Sequence, residues 1–95
     1  MTITCVAIFQ YDDDGICVSF PDFPVCNTCG YSFIEAVNMA KEVLALGLHG
    51  MPVRDEATFL KLSDAILLPN QEAIIISIDL ENRNGLYFSP KAIPL

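Results

Sequence analysis

The chain has 95 residues, 53% of them hydrophobic, and its 12 acidic and 5 basic side chains give a net charge of −7. That length predicts one domain over residues 1–95, and the acidic balance disfavours direct nucleic-acid binding, which depends on cations meeting phosphates. No segment is long and apolar enough for a membrane span, and Met1–Thr4 lacks the basic start of a secretory signal, so a cytoplasmic protein is predicted.

Two strands joined by an acidic turn open the predicted fold. Thr2–Gln10 is rich in β-branched and apolar residues, and Ile16–Phe20 is the return strand. Between them lies Asp12–Gly15, a hairpin turn in which Gly15 can take a positive φ. Alternation along the return strand places Ile16, Val18 and Phe20 on one face and Cys17 and Ser19 on the other.

Two prolines end this hairpin. Pro21 and Pro24 cannot donate a backbone hydrogen bond, so the ladder stops there, and Val25–Cys29 is predicted to form a short edge strand. The segment between the prolines has two interpretations. Phe23 packs in the core of a rigid turn, or it joins Asp22 in a rigid loop that loses little entropy when a partner binds.

A capped helix follows. Ser32 and Glu35 have the spacing of a capping box, and the helix is predicted to end near His49, before Gly50. The stripe predicted to face the sheet is Phe33, Val37, Ala40, Leu44, Gly47 and Leu48. Within it, the small residues Ala40 and Gly47 would let the helix lie close to the strands.

The rest of the chain completes an α+β pattern. Pro52–Asp64 predicts a loop and a short helix covering the flank at Met39. Ala73–Leu80 predicts a central strand, which Asn82–Gly85 would break. The fold class is therefore a three- to four-stranded, mainly antiparallel sheet in the order β-β-β-α-(α)-β, with one long helix packed on one face.

One helix leaves the other face of the sheet uncovered. That face would carry apolar residues such as Val6, Ile8 and Ile75. Together with the high apolar content, this predicts an interface and self-association as a dimer or a larger oligomer.

The four cysteines do not indicate a metal or redox site. Cys5 and Cys17 lie in apolar runs and are predicted to be small buried residues. Cys26 and Cys29 have the C-x-x-C spacing, but a structural zinc site needs four ligands and the one histidine, His49, lies beyond the helix. A thioredoxin-like motif would open a helix, whereas this helix starts later. We therefore predict no metal and no cofactor.

Two motifs stand in order along the chain: Asp-Gly-x-x-Val-Ser-Phe-Pro-Asp-Phe-Pro at 14–24 and Ser-Phe-Ile-Glu-Ala-Val-x-x-Ala-Lys-Glu at 32–42, with Cys26, Thr28 and Gly30 between them. On these motifs, about residues 3–50 closely resemble the HicB antitoxin family. It extends loosely to the last long strand, where the family also tends to place an acid like Asp79. Val25, Cys29 and Tyr31 depart from the residues usual in the family.

The resemblance implies a partial RNase H-like fold and a non-enzymatic role. HicB proteins bind and neutralise HicA, a small basic toxin that cleaves mRNA, and a net charge of −7 suits such a partner. Many members also carry a C-terminal DNA-binding module. This chain has no basic segment of that kind before Leu95, so no such module and no direct nucleic-acid binding are expected.

The candidate partner-binding residues are the acids of the turn and the loop between the prolines: Asp12, Asp13, Asp14, Asp22 and Phe23. No catalytic residue is predicted, because two-metal hydrolysis needs converging carboxylates and neighbouring acids on a turn diverge. Two alternatives stay open. One is a solitary HicB-like interaction module without a toxin partner, and the other is a degenerate RNase H-like nuclease that uses Asp79.

Overall fold

An antiparallel sheet packs against one long helix in the computed structural model, which describes residues 2–48, 59–83 and 87–90. The elements in chain order are β1 (Thr2–Asp12), β2 (Gly15–Ser19), β3 (Asn27–Gly30), α1 (Phe33–Leu48), a short 3₁₀ helix (Leu62–Asp64), β4 (Gln71–Arg83) and β5 (Tyr87–Pro90). The helix begins at Phe33, directly after Ser32, which confirms Ser32 as the predicted N-cap. The predicted end at His49 lies outside the described residues.

The sheet has the strand order β3-β2-β1-β4-β5, and every pairing in it is antiparallel. β1 and β4 form its centre along Thr2–Gln10, and β3 is an edge strand as predicted. The predicted α+β layout is confirmed, with β5 added as a short fifth strand. The predicted break at Asn82–Gly85 is wrong at its start, because Asn82 and Arg83 remain in β4, where β5 pairs with them.

One face of the sheet and the inner side of α1 form the core. On β1, every second residue from Ile3 to Phe9 is at most 3% exposed, and Ile76 and Ile78 continue this layer on β4. The buried helix residues are Ala36, Ala40, Leu44, Ala45 and Leu48. Phe33 was predicted to join them but is 46% exposed. It lies in the first turn of the helix, where its ring packs 5.6 Å from the ring of the buried Phe9 while nearly half of the side chain stays exposed.

Small residues let α1 lie against the sheet, as predicted. A Cβ placed on Gly30 would lie 2.7 Å from the backbone N of Ala36, in the first turn of the helix. A Cβ placed on Gly47 would meet the Sγ atom of Cys26, which is buried below the helix. Burial also raises the pKa of the Cys26 thiol, so this cysteine packs as a neutral apolar residue.

The other face of the sheet, here called the open face, carries the remaining residues of β1. Val6 pairs with Ile75, and Ile8 pairs with Ala73, so the predicted placement of Val6, Ile8 and Ile75 on this face is confirmed. Polar pairs lie on both sides of this apolar centre. The Thr4 and Ser77 hydroxyls are 2.8 Å apart, Thr2 donates to Asp79 at 2.8 Å, and Gln71 donates to Gln10 at 3.1 Å.

The cysteines divide between the two faces. Cys5 and Cys26 are buried, whereas Cys17 and Cys29 are exposed. The prediction that Cys17 is buried is wrong, because strand alternation turns it to the open face beside Ser19. Cys26 and Cys29 also lie on different sides of the sheet, so their C-x-x-C spacing does not bring their thiols together.

Candidate partner-binding surface

The acidic turn between β1 and β2 is held in a defined conformation. Gly15 has a φ of 146°, a value that side chains with a Cβ rarely adopt, and it closes the two-residue turn opposite Asp12. The carboxylate of Asp12 accepts hydrogen bonds from Gln10 at 3.0 Å and from Asn70 at 3.3 Å. Asp13 and Asp14 are exposed at the tip. Asp12 is therefore a positioning residue, and its two neighbours present charge to the solvent.

Exposed aromatic side chains lie beside this turn. Tyr31 is 87% exposed, and its ring comes within 3.9 Å of a Cβ placed on Gly15. The predicted capping box holds the backbone there, since Ser32 Oγ accepts from the N–H of Glu35 at 3.1 Å. The Glu35 carboxylate in turn accepts from the N–H of Tyr31, also at 3.1 Å. Phe33, in the first turn of α1, adds a second aromatic ring, which is half-exposed.

A third aromatic residue at this end of the sheet is hydrogen-bonded across strands. The Tyr11 hydroxyl donates to the Glu72 carboxylate at 2.6 Å. Partial desolvation raises the pKa of Tyr11 to about 12, and the hydrogen bond and charge of Glu72 act in the same direction. Both residues lie near the turn, because Tyr11 immediately precedes Asp12 and Glu72 lies at the start of β4.

We name this region the hairpin-end surface and define it as Tyr11, Asp12–Asp14, Tyr31, Phe33 and Glu72. It combines carboxylates with three partly exposed aromatic rings. The exposed Lys61 lies on another segment, beside the 3₁₀ helix. Within the described residues, the surface can therefore offer a cationic partner both opposite charge and apolar contact area.

The structure separates the predicted site residues into two groups. Asp12, Asp13 and Asp14 lie at the hairpin end, whereas Asp22 and Phe23 lie past the other end of β2. Phe23 is 4% exposed and packs edge-to-face on Phe59, with ring centroids 5.3 Å apart. The core interpretation of Phe23 therefore holds, and its side chain has almost no surface to offer a partner.

Asp22 also makes a contact within the fold. Its carboxylate accepts a hydrogen bond from the backbone N–H of Leu60 at 2.9 Å, and the side chain is half-buried. This bond ties the loop between the prolines to the segment before the 3₁₀ helix. Partner binding by Asp22 stays a prediction, but its structural contact is sufficient reason for an acid at this position.

The described acids do not converge on a point where a metal ion could bind. Among the parts of the chain that the structure describes, no three His, Cys, Asp or Glu side chains are grouped for metal coordination. Asp79 pairs with Thr2, at the far end of β1 from Asp12. At the usual rise per residue, the ten steps along the strand from Thr2 to Asp12 separate the two ends by roughly 33 Å. No helix in the described segments is long and apolar enough to cross a membrane.

The whole chain is similar in structure to a chain of a toxin–antitoxin complex from Streptococcus pneumoniae. The TM-score is 0.60 at 23% sequence identity, and the similarity covers 100% of this chain and 80% of that chain. No protein-family model and no curated protein sequence matches the chain. At this level of identity, the likeness shows a shared fold.

Sequence reasoning missed the aromatic part of the surface. Tyr31 stood out as a departure from the HicB pattern, and an aromatic residue directly before a helix N-cap could have indicated exposure. Tyr11 and Glu72 carry no such signal, because they are 61 residues apart and meet only through the register of β1 with β4.

Proposed function

We propose that this protein is a HicB-like antitoxin that binds a small basic, mRNA-cleaving toxin of the HicA type and masks its RNA-binding surface. One observation carries the proposal. The hairpin-end surface places exposed carboxylates beside exposed aromatic rings, on a fold shared with a chain of a toxin–antitoxin complex. The resemblance of about residues 3–50 to HicB supports the same partner. Because mRNA is the toxin's target, we place the action of the complex in the cytoplasm.

Electrostatics support a cationic partner. A net charge of −7 speeds the approach of a basic protein and repels nucleic acid, so the antitoxin would compete with RNA for the same positive surface of the toxin. Asp13 and Asp14 are exposed at the tip of the turn in the hairpin-end surface. Charges placed in this way act mainly on the rate of association and on its salt dependence.

The aromatic residues would supply the affinity. Tyrosine and other large rings dominate binding energies when they become desolvated at the centre of an interface. Tyr31 is 87% exposed in the isolated chain, and the capping box holds its backbone in place. A ring presented on an ordered backbone loses little further entropy on binding.

The proposed role is not enzymatic. The acids nearest the turn and Asp79 lie at opposite ends of β1, so these carboxylates cannot hold one pair of metal ions. Masking needs surface complementarity and no chemical step. Cleavage of RNA by the purified protein with magnesium or manganese, abolished in Asp79→Ala, would instead support the nuclease alternative.

The decisive experiment is co-purification with a co-expressed HicA-type toxin at low and high salt. We expect a complex at low salt that weakens as salt rises, because screening reduces the attraction between exposed charges. Asp13→Asn with Asp14→Asn should lower the association rate, and Tyr31→Ala should raise the dissociation rate. Glu42→Gln with Asp64→Asn is the matched control, since it also removes two exposed charges, one on the outer side of α1 and one in the 3₁₀ helix.

Failure to form a complex at low salt would contradict the masking mechanism. An equal loss of association in the Glu42 and Asp64 double variant and in the Asp13 and Asp14 double variant would assign the effect to net charge and remove the hairpin-end surface from the proposal. If no toxin binds but another protein does, the solitary interaction module replaces the antitoxin.

Self-association belongs to the same proposal. On the open face, Ile75 is 47% exposed in the isolated chain, and it lies opposite Val6, which is 2% exposed. We expect a dimer or a larger oligomer in solution, measured by light scattering during size-exclusion chromatography. A monomer at micromolar concentration would contradict this part while leaving toxin binding to its own test.

A further inference from the structure

The open face brings together two cysteines that are twelve positions apart in the chain. Cys17 of β2 lies directly opposite Cys29 of the edge strand β3, and both side chains are exposed. The sequence motif suggests a different pair, Cys26 with Cys29, but Cys26 is 1% exposed and lies beneath α1. The sheet therefore sets which thiols can meet.

The hydrogen-bonding pattern of the sheet defines the geometry of this pair. The N–H of Tyr11 donates to the carbonyl of Asn70, so the backbone groups of Tyr11 face β4 and those of Gln10 face β2. Gln10 is the partner of Cys17, and the backbone groups of Cys17 consequently face β1. Towards β3, Cys17 and Cys29 thus form a non-hydrogen-bonded pair.

A pair of this type suits a disulfide. Opposing Cα atoms in a non-hydrogen-bonded antiparallel pair are about 4.5 Å apart, within the range of about 4.4–6.8 Å that disulfides span. Because both side chains point to the same side of the sheet, the bond needs little backbone movement. β3 is short and has a neighbour on one side only, so it can adjust to the bond more easily than a central strand.

We propose that Cys17 and Cys29 are a dithiol site that forms a cross-strand disulfide and fixes the edge strand β3 to β2. The oxidant is a small disulfide such as oxidised glutathione. One cysteine thiolate attacks it and forms a mixed disulfide, releasing one glutathione thiol. The second cysteine thiolate then attacks the protein-bound sulfur and releases the second glutathione. Two cysteine protons are lost, and two glutathione thiols are gained.

The surroundings of Cys17 disfavour its thiolate. Partial desolvation and then the charge of Asp12 raise the pKa of the Cys17 thiol, with smaller contributions from Cys29 and Asp14. Since the thiolate is the attacking species, the raised pKa slows the step in which Cys17 attacks. Asp12→Asn should therefore accelerate closure, because it removes the charge that raises the pKa of Cys17 most after desolvation.

The bond would act on the region next to the proposed partner surface. β3 ends at Gly30, and the exposed Tyr31 follows immediately. Fixing β3 restricts the backbone that leads into Tyr31 without covering the ring. This inference does not depend on the proposed function, since bond formation is measured on the chain alone.

The test is incubation of the purified protein with excess oxidised glutathione, followed by alkylation and mass spectrometry. We expect the protein to lose two hydrogens and to remain a single chain on a non-reducing gel. Cleavage before aspartate separates Cys17 from Cys29, since Asp22 lies between them. Fragmentation of the linked peptides should assign the bond to Cys17 and Cys29.

Matched variants complete the test. Cys29→Ser and Cys17→Ser should block bond formation, and Cys26→Ala should leave it intact. Closure of this loop should raise the Tm by on the order of 10 °C. A bond mapped to Cys26 and Cys29, a bond between two chains, or a mixed disulfide that never closes would each overturn the proposal. Mapping the disulfide bond in the wild-type protein tests the proposal even where a variant does not fold.

Discussion

The two faces of the sheet are built from alternate residues of the same strands, yet their chemistry differs. On β1, Phe9 and its alternates contact the helix and are almost completely buried, whereas Thr4 and Gln10 on the open face are half-buried and bond to side chains of β4. The covered face is apolar beneath α1 and becomes polar at the hairpin end, where Tyr11 bonds to Glu72. The open face has an apolar centre between polar ends, a composition found where a surface is exposed in one state and covered in another.

This difference separates stability from recognition. Burial against α1 removes apolar area from water in every copy of the folded chain, so it determines whether the sheet forms. The open face and the hairpin end contribute less to folding, which leaves their residues available for contact with other molecules. Substitutions should therefore fall into two classes according to the direction in which a side chain points.

The largest effect is expected for Phe9→Ala. The ring is fully buried, so its removal should lower the free energy of unfolding by about 3–5 kcal/mol through lost burial and the remaining cavity. The matched open-face variant is Ile75→Ala, which should cost no more than about 1.5 kcal/mol because that side chain is already half exposed. Urea unfolding of both variants measures the difference, and equal losses would contradict the division between faces.

The next largest effect is expected where the helix approaches the sheet. Gly47→Ala should cost roughly 1–3 kcal/mol, because the added methyl meets the Cys26 sulfur in a closely packed site. Cys26→Ala should remove that obstacle, so the double variant should lose less than the sum of the single losses. A double-mutant cycle from thermal or urea unfolding measures this coupling, and strict additivity would show that the two residues do not share the contact.

Much of the covered face follows from local sequence, and the surface does not. The capping box, the turn at Gly15 and the alternation of β2 are signals within a few residues, and the structure contains all three. The contact of Tyr11 with Glu72 depends instead on the register of β1 with β4.

Long-range pairing also explains what local sequence left open. No sequence pattern marked Cys17 and Cys29 as neighbours, whereas the register of β2 with β3 pairs them. Phe23 was a core residue or a contact residue on sequence alone, and only the position of Phe59 decides for the core. Local sequence pattern thus predicts the side of the sheet to which a side chain points better than it predicts which residue that side chain contacts.

A smaller, pH-dependent effect is expected at Tyr11, which lies on the same side of β1 as Phe9, next to the acidic turn. Its pKa is raised from 10.0 to about 12, so the folded state favours the neutral phenol. The resulting stabilisation is fully present below about pH 10 and is lost as the pH rises through about 12. Ultraviolet titration should show one late phenol that disappears in Tyr11→Phe.

Glu72→Gln is the sharper variant at the same site. It keeps an acceptor for the Tyr11 hydroxyl and removes the negative charge, so the Tyr11 pKa should fall while staying above 10.0, because desolvation is the larger cause. An unchanged Tyr11 pKa in this variant would show that Glu72 contributes no charge effect.

The smallest effect is expected on the open face, at the hydroxyl pair of Thr4 and Ser77. These side chains are 2.8 Å apart, but Ser77 is exposed and can exchange its partner for water. Replacing both, as Thr4→Val with Ser77→Ala, leaves no polar group unpaired, so the free energy of unfolding should change by less than about 0.5 kcal/mol.

The variant also extends the apolar centre formed by Val6 and Ile75. If the open face is an interface between copies, self-association measured by light scattering should strengthen while stability stays constant. A loss of stability without a change in association would place Thr4 and Ser77 with the covered face and end the distinction between the two.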